Sequence, residues 1–295
     1  MNGILIVDKP EGFTSFDVVA KLRGILREKK IGHCGTLDPS ATGVMTLLLG
    51  AATRFNEILP DHSKAYIASL KTGIVTDTLD ITGKVIRQSD AEATFDEFRE
   101  AALGFRGEIT QIPPMYSAVS VGGKRLYELA RQGIETERPE RKVTVYSLEA
   151  LSGSEKGEFS LKVECSSGTY IRTLVYDIGE KLGCGATLTS LRRTMANGFT
   201  LDNAHTLEQI EALAREGRAG ELIIPLDKAL AAYKEITVTA PQAVRFSNGG
   251  ELDLNRISGA SEPGLYRVYG PDGRFLGAGE NSGGECLKIR KVYTG

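Results

Sequence analysis

Residues 44–50, VMTLLLG, have no polar face. The run is too short for a buried helix and too apolar for a surface strand, so it reads as a buried strand. It follows directly on IGHCGTLDPSAT (31–42), which holds a single carboxylate, Asp38, among small and hydroxyl residues and no acid or base adjacent to it. Asp-Pro opens many helices, with the acid as N-cap and the proline in the first turn. Here the chain enters its strand at once, which leaves no room for a proper helix. Gly32, Gly35 and Gly43 permit tight backbone paths and close approach by a ligand. A lone carboxylate on such a loop is either a cap or a nucleophile or base, and the loop alone leaves both readings open.

The rest of the chain alternates irregularly between strand and helix patterns. GILIV (3–7) reads as a short buried strand and DKPEGFTS (8–15) as a turn-rich loop. Thr14 or Ser15 caps a helix to about Glu28, with Phe16, Val19, Leu22 and Leu26 as its apolar stripe. KAYIASLKTG (64–73) alternates, with Tyr66, Ala68 and Leu70 on one face. EFSLKVEC (158–165) alternates with Phe159, Leu161, Val163 and Cys165 inward. Capping boxes at Thr94/Glu97 and Thr206/Gln209 start helices to about Leu103 and Arg215, and a helix over 169–182 ends at Gly183. Past residue 232 short alternating runs lie between Pro, Gly, Asn and Asp turns. The expected architecture is α+β, with a mixed, mainly antiparallel sheet and flanking helices over 1–234 and a small β-barrel over 235–295.

Composition limits the function classes. No apolar run approaches the ~20 residues that a bilayer-spanning helix needs, and the N-terminus lacks the pattern of a signal peptide. The four cysteines show no C-x-x-C pairing, which argues against a zinc site or a disulfide framework and fits a reducing cytoplasm. There is no P-loop and no G-x-G-x-x-G. With a net charge of -2 the chain carries no overall nucleic-acid footprint. The local basic stretches, 123–142 and Arg192-Arg193, carry or adjoin acids and read as solvated surface. In CSSGTYIRTL (165–174), Tyr170 shares a helix face with Leu174 and suits core packing, while Arg172 points elsewhere and suits a surface ion pair. Buried beside Asp38, that arginine would instead keep the acid ionised and fix its rotamer.

These segments together resemble the tRNA pseudouridine(55) synthases of the TruB family. GHCGTLDPSATGVM is similar to the family's catalytic loop, G-H-x-G-T-L-D-P-x-A-x-G-V-L. In family order come DKPEGFTS, KAYIASLKTG with TDTLDITG, QIPPMYSAVSVGGKRLYELARQG, CSSGTYIRTLVYDIGEKLG, CGATLTSLRRT and a tail similar to PUA domains. The departures are Cys34 where Thr is common, Met45 where Leu is common, and Thr187 where His is common. What the resemblance implies is a set of roles. Asp38 matches the catalytic aspartate, Arg172 the arginine paired with it, and Tyr66 the tyrosine that stacks on the target base. Tyr170, His33, Leu191 and Lys9 match substrate-contacting positions. Residues 113–141 match a thumb-like RNA-binding insertion, with Lys124, Arg125 and Arg131 as RNA contacts.

The implied reaction breaks the C1′–N1 glycosidic bond of the T-loop uridine, turns the uracil and rejoins it through C5. It is redox-neutral, so neither cofactor nor metal is expected. It does need an ionised carboxylate as nucleophile or cation stabiliser, an aromatic to hold the detached base, and a flipped-out nucleotide. Tyr66 is also the family's usual candidate for removing the C5 proton, although a phenol pKa near ~10 makes it a poor base. The expected partner is the T-arm of tRNA, with no guide RNA and no membrane, for a monomer in the cytoplasm that also assists tRNA folding. Three rivals remain open: a non-catalytic tRNA-binding or folding protein, a guide-RNA-dependent relative, and a glycoside hydrolase. The last lacks a second carboxylate in an equally suggestive motif.

Overall fold

The computed structural model describes residues 1–295 except Glu92, Ala118 and Ser154. In chain order, β1 (Gly3–Lys9) leads to α1 (Ser15–Leu26), β2 (Ile31–His33), β3 (Thr42–Leu49), β4 (Lys64–Thr72), β5 (Ile74–Thr76) and β6 (Val85–Gln88). Then follow α2 (Phe95–Leu103), β7 (Gly107–Gln111), β8 (Ser120–Val121), β9 (Lys124–Arg125) and α3 (Leu126–Arg131). β10 (Arg141–Ser152), β11 (Glu158–Cys165), α4 (Ile171–Leu182), β12 (Ala186–Ala196), β13 (Phe199–Thr200), α5 (Leu207–Arg215) and α6 (Leu226–Ala229) complete the larger part. The C-terminal part holds β14 (Lys234–Thr237), α7 (Ala240–Ser247), β15 (Leu252–Asp253), β16 (Gly264–Tyr269), β17 (Phe275–Asn281) and β18 (Cys286–Val292).

The main sheet runs β1-β3-β12-β4-β11-β10-β7, with β2 beside β3 and β13 beside β12. Only the β3–β12 pair is parallel, so the sheet is mixed and mainly antiparallel. The capping boxes form as the sequence predicts, at Thr94 with Glu97 and at Thr206 with Gln209. α2 and α4 lie over the β4–β11–β10 region. There Phe98 stacks on Phe159 with ring centroids 4.4 Å apart, and both rings are almost fully buried, which stabilises by roughly 1.5–3 kcal/mol per side chain. Leu161, Val163 and Cys165 face the same core, as the alternation of β11 requires.

Two details of helix placement differ from the sequence reading. α1 buries Ser15, Val18, Val19, Leu22 and Leu26, whereas Phe16 is 63% exposed beside Arg23. At about 100° per residue, position 16 lies a quarter-turn off the stripe that the other five define. α4 starts at Ile171 rather than 169, and Tyr170 is its N-cap in extended conformation. Tyr170 therefore does not share a helical face with Leu174, and its carbonyl and N–H are both held by the Gln111 amide.

The C-terminal strands pair in the order β14-β16-β17-β18-β15, a half-barrel closed on one side by α7. It is joined to the main sheet through a shared apolar core, in which Phe275 and Tyr293 pack on Phe55. Polar contacts flank that core: Tyr233 Oη donates to the Ile58 carbonyl, and Arg267 Nε donates to the Tyr233 carbonyl. No helix among the described residues is long and apolar enough to cross a membrane.

Candidate active site

The loop before β3 is clamped by three elements, α1, β1 and β12. Ser15 Oγ, at the start of α1, donates to the Leu37 carbonyl at 3.0 Å and accepts from its N–H at 2.8 Å. Lys9 Nζ, at the end of β1, donates to the carbonyls of Pro10, Phe13 and Pro39 at 2.8, 2.6 and 3.2 Å. Arg193, on β12, donates through Nε to Val44 at 2.7 Å and through its terminal nitrogens to Thr36 and Gly35 carbonyls. Gly43, with φ +103°, lets β12 come so close that a Cβ would sit 2.1 Å from the Arg193 carbonyl oxygen. Inside the loop the Asp38 carbonyl accepts from Ala41 N–H. That is a turn with proline in its favoured second position, and no helix starts there. The cap reading is thus met by the backbone alone, which leaves the Asp38 side chain free.

That side chain meets Arg172 in the first turn of α4. Arg172 Nε lies 2.9 Å from Asp38 Oδ2, with the arginine side chain 6% exposed and the aspartate 36%. In place of the expected surface ion pair, the arginine is buried and only the aspartate is partly exposed. The terminal nitrogens of Arg172 donate to the Thr78 and Tyr116 carbonyls at 3.1 and 2.8 Å, and Nη1 lies 3.9 Å from Asp80 Oδ2. Asp38 is thus gripped through Nε, and the rest of the fork is spent on the β5–β6 turn and the 113–141 segment. Burial raises the Asp38 pKa; Arg172 opposes that rise and Asp80 adds to it. Asp80 lies in TDTLDITG, which carries the family resemblance as a segment without marking this acid. It is a second acid close by, but it accepts from Thr78 and Thr82 hydroxyls and the Thr82 N–H and is itself buried. A carboxylate so fully engaged is ill-suited to the paired-acid hydrolysis of a glycosidase.

Tyr66 and Lys64 lie on one face of β4, as period-two geometry demands. With Asp38, Tyr170, Arg172 and Leu191 they line a cavity of about 270 Å³, close to the lower end of small-molecule sites and suited to one base rather than a chain. Tyr66 is opposite Arg193 on β12 and Val163 on β11. Burial pushes its phenol up to about 12, with the nearby Arg193 guanidinium pulling the other way.

The remaining predicted residues are placed differently. Lys9 is 0% exposed, and its ammonium is committed to the three loop carbonyls rather than presented to a substrate. Burial lowers its pKa to about 8. His33, on β2 opposite Leu47, is not on the cavity wall; its Nδ1 is buried with no hydrogen-bond partner among the described residues, and burial lowers its pKa. Lys124 and Arg125 form β9 of a hairpin, and Arg131 ends α3 over the Tyr127 ring. All three are away from the cavity wall. Val119, Leu126 and Leu129 form a small core there, against which Met115 and Tyr170 pack. Thr187 is fully buried and donates to the Ile74 carbonyl, which removes it from any RNA contact. Arg193, read from sequence as solvated surface, is among the largest fully buried side chains; strand alternation across SLRRT was its only available signal.

Residues 23–171 match the N-terminal domain of the TruB family pseudouridylate synthases. Residues 172–231 match the tRNA pseudouridylate synthase B C-terminal domain, and 235–288 the C-terminal part of pseudouridine synthase II TruB. The chain belongs to the TruB family. Curated relatives named tRNA pseudouridine synthase B include one from Clostridium kluyveri, 43% identical over 100% of both chains. Another, from Alkaliphilus oremlandii, is 46% identical over 100% of this chain and 92% of its own. Among solved structures, a Cbf5-Nop10-Gar1 complex matches with a TM-score of 0.76 and 26% identity, over 99% of this chain and 85% of that one. The TruB family chain described here is accordingly an isomerase of the pseudouridine synthase class, with that class's fold.

Proposed function

We propose that this enzyme converts the T-loop uridine at position 55 of tRNA to pseudouridine, with Asp38 as the residue that reacts. The observation that carries the proposal is the Asp38–Arg172 contact of 2.9 Å at the wall of a base-sized cavity that Tyr66 also lines. Burial raises the Asp38 pKa, and Arg172 supplies the charge that opposes this rise and favours the ionised carboxylate. The clamped loop fixes where it points, so little reorganisation is needed when charge develops at C1′. Tyr66 stacks on the flipped uracil and, in the stacked position, carries its hydroxyl toward C5; burial keeps that phenol protonated, with Arg193 only partly opposing it. Tyr170 and Leu191 complete the wall around the base.

Flipping the nucleotide costs a few kcal/mol, and contacts outside the cavity have to offset it. The 113–141 segment, with Lys124, Arg125 and Arg131 on its surface, serves as the thumb over the T-arm. The half-barrel from residue 235 onward serves as the second RNA-binding module, on the PUA pattern. The enzyme works as a monomer in the cytoplasm, without cofactor or guide RNA. The test is incubation of the protein alone with tRNA tritiated at uridine C5, followed by chemical mapping of the product. Tritium release of one equivalent, with pseudouridine at position 55 only, is the expected result. Release that requires an added guide RNA, or modification elsewhere in the tRNA, would contradict the proposal.

A further inference from the structure

The cations around the 33–41 loop differ in how they are satisfied. Arg172 has Asp38 and Asp80. Lys9 and Arg193 give their donors to carbonyls. Lys64 has neither a hydrogen bond nor an ion pair among the described residues. Yet it is half-buried on the wall of the cavity, on the same strand face as Tyr66. Its side chain lies over Gly35, whose Cβ would meet Lys64 Cε at 3.3 Å and Nζ at 3.7 Å. The ionisable groups facing it are the Arg193 guanidinium and the thiols of Cys34 and Cys165, with no carboxylate among them. Arg193, behind it, also lacks an ion-pair partner among the described residues and is 0% exposed.

Two neighbouring cations without an acid, one of them reaching a cavity, form a site that is incomplete without an anion. The substrate class proposed above brings one anion per nucleotide. With the uracil on Tyr66 and its ribose at Asp38, the phosphodiesters of the flipped nucleotide pass the cavity rim. We propose that Lys64, backed by Arg193, is the seat for a phosphodiester flanking the target uridine. The proposal rests on the uridine-isomerising reading of the same cavity. A compact ammonium on a flexible stem suits a phosphate met during flipping, whereas the planar forks of Arg172 and Arg193 are already committed. Lys64 is thereby a substrate-positioning residue whose binding energy offsets the cost of extrusion.

The test uses T-arm stem-loop RNAs in which one linkage at a time is a neutral methylphosphonate. Dissociation constants are measured with wild type, Lys64→Met and Lys64→Arg, alongside single-turnover rates. A charge-assisted contact of this kind is worth about tenfold or more in affinity. Wild type is expected to lose about tenfold at one linkage next to the target uridine and little at distal ones. Lys64→Met is expected to bind unmodified RNA about tenfold more weakly and to be indifferent to the neutral linkage. Lys64→Arg is expected to restore most of the affinity. Independent, multiplying losses for Lys64→Met and every neutral linkage would overturn the proposal. So would wild-type affinity in Lys64→Met, or a collapse of its rate with affinity unchanged. Because the scan is read as binding, it stands apart from whether wild type isomerises the unmodified RNA, and absence of that turnover would instead refute the parent reading.

Discussion

Replacing Arg172 by lysine keeps the charge and removes the fork. The guanidinium makes three separate contacts: Nε with Asp38, Nη1 with the Thr78 carbonyl and Nη2 with the Tyr116 carbonyl. One ammonium cannot occupy all three places. If it follows Asp38, two carbonyls lose their donor, at about 1–3 kcal/mol for each one left unsatisfied. If it follows the carbonyls, Asp38 loses its partner and burial raises its pKa further, since Arg172 is the main group opposing that rise. A stability loss of about 2–4 kcal/mol is expected, or roughly 5–10 °C in thermal midpoint. In single-turnover tritium release the rate should fall by about 10²–10³-fold, which corresponds to ~3–4 kcal/mol of barrier. RNA affinity should stay within about threefold, a modest change, because the guanidinium's three contacts are with the protein's own groups. Arg172→Gln, which also removes the charge, should move the acid limb of the rate profile upward, because Asp38 is then ionised only at higher pH. A rate within about fivefold of wild type for Arg172→Lys would refute the reasoning that the fork positions the reacting carboxylate.

Tyr66→Phe keeps the stacking ring and removes the hydroxyl. If the phenol takes the C5 proton, tritium release should fall by more than about 10²-fold with RNA affinity unchanged, whereas near-normal release would assign Tyr66 to stacking alone. Asp177 tests the electrostatics away from the cavity, since burial and the neighbouring Glu180 push its pKa from 3.8 to about 6. Between those values the native state binds more protons than the unfolded state, so wild-type stability falls as pH rises through the window. Asp177→Asn should therefore raise the thermal midpoint at pH 7.5 by an amount equivalent to about 1 kcal/mol, discounted for the partial exposure of the group. The gain should vanish near pH 4, and an equal gain at both pH values would contradict the assignment.

Much of the fold could be read from local rules because those rules are local. Capping boxes close within one turn, and alternation in β4 and β11 fixes which side chains share a face. Lys64 was available from the same alternation that singled out Tyr66, but a lysine in an alternating strand gives no reason to be noticed until the cavity is seen. Arg193 was misplaced because a pair of arginines reads as solvent-facing. Only the crossing of β12 between β3 and β4 shows that one of the two enters the core. The partnership of Asp38 with Arg172 joins a loop near the N-terminus to a helix in the second half of the chain, and Asp80 joins it from a third segment. No sequence pattern encodes that meeting. The residues by themselves permit a partnership of Asp38 with Arg172, and the family resemblance is what singles it out. Tyr170 illustrates the limit at element ends, where one residue of difference converts a helical face into a cap.

The central claim is that Asp38 reacts, and Asp38→Asn tests it most directly. The substitution is nearly isosteric, and burial already disfavours the charged carboxylate, so the variant should melt no lower than wild type at pH 7. Tritium release from C5-labelled tRNA is then measured at saturating enzyme, together with affinity for the same RNA. The account predicts release lost by at least about 10⁴-fold while binding stays within about threefold. Sustained turnover by a correctly folded Asp38→Asn enzyme would contradict it.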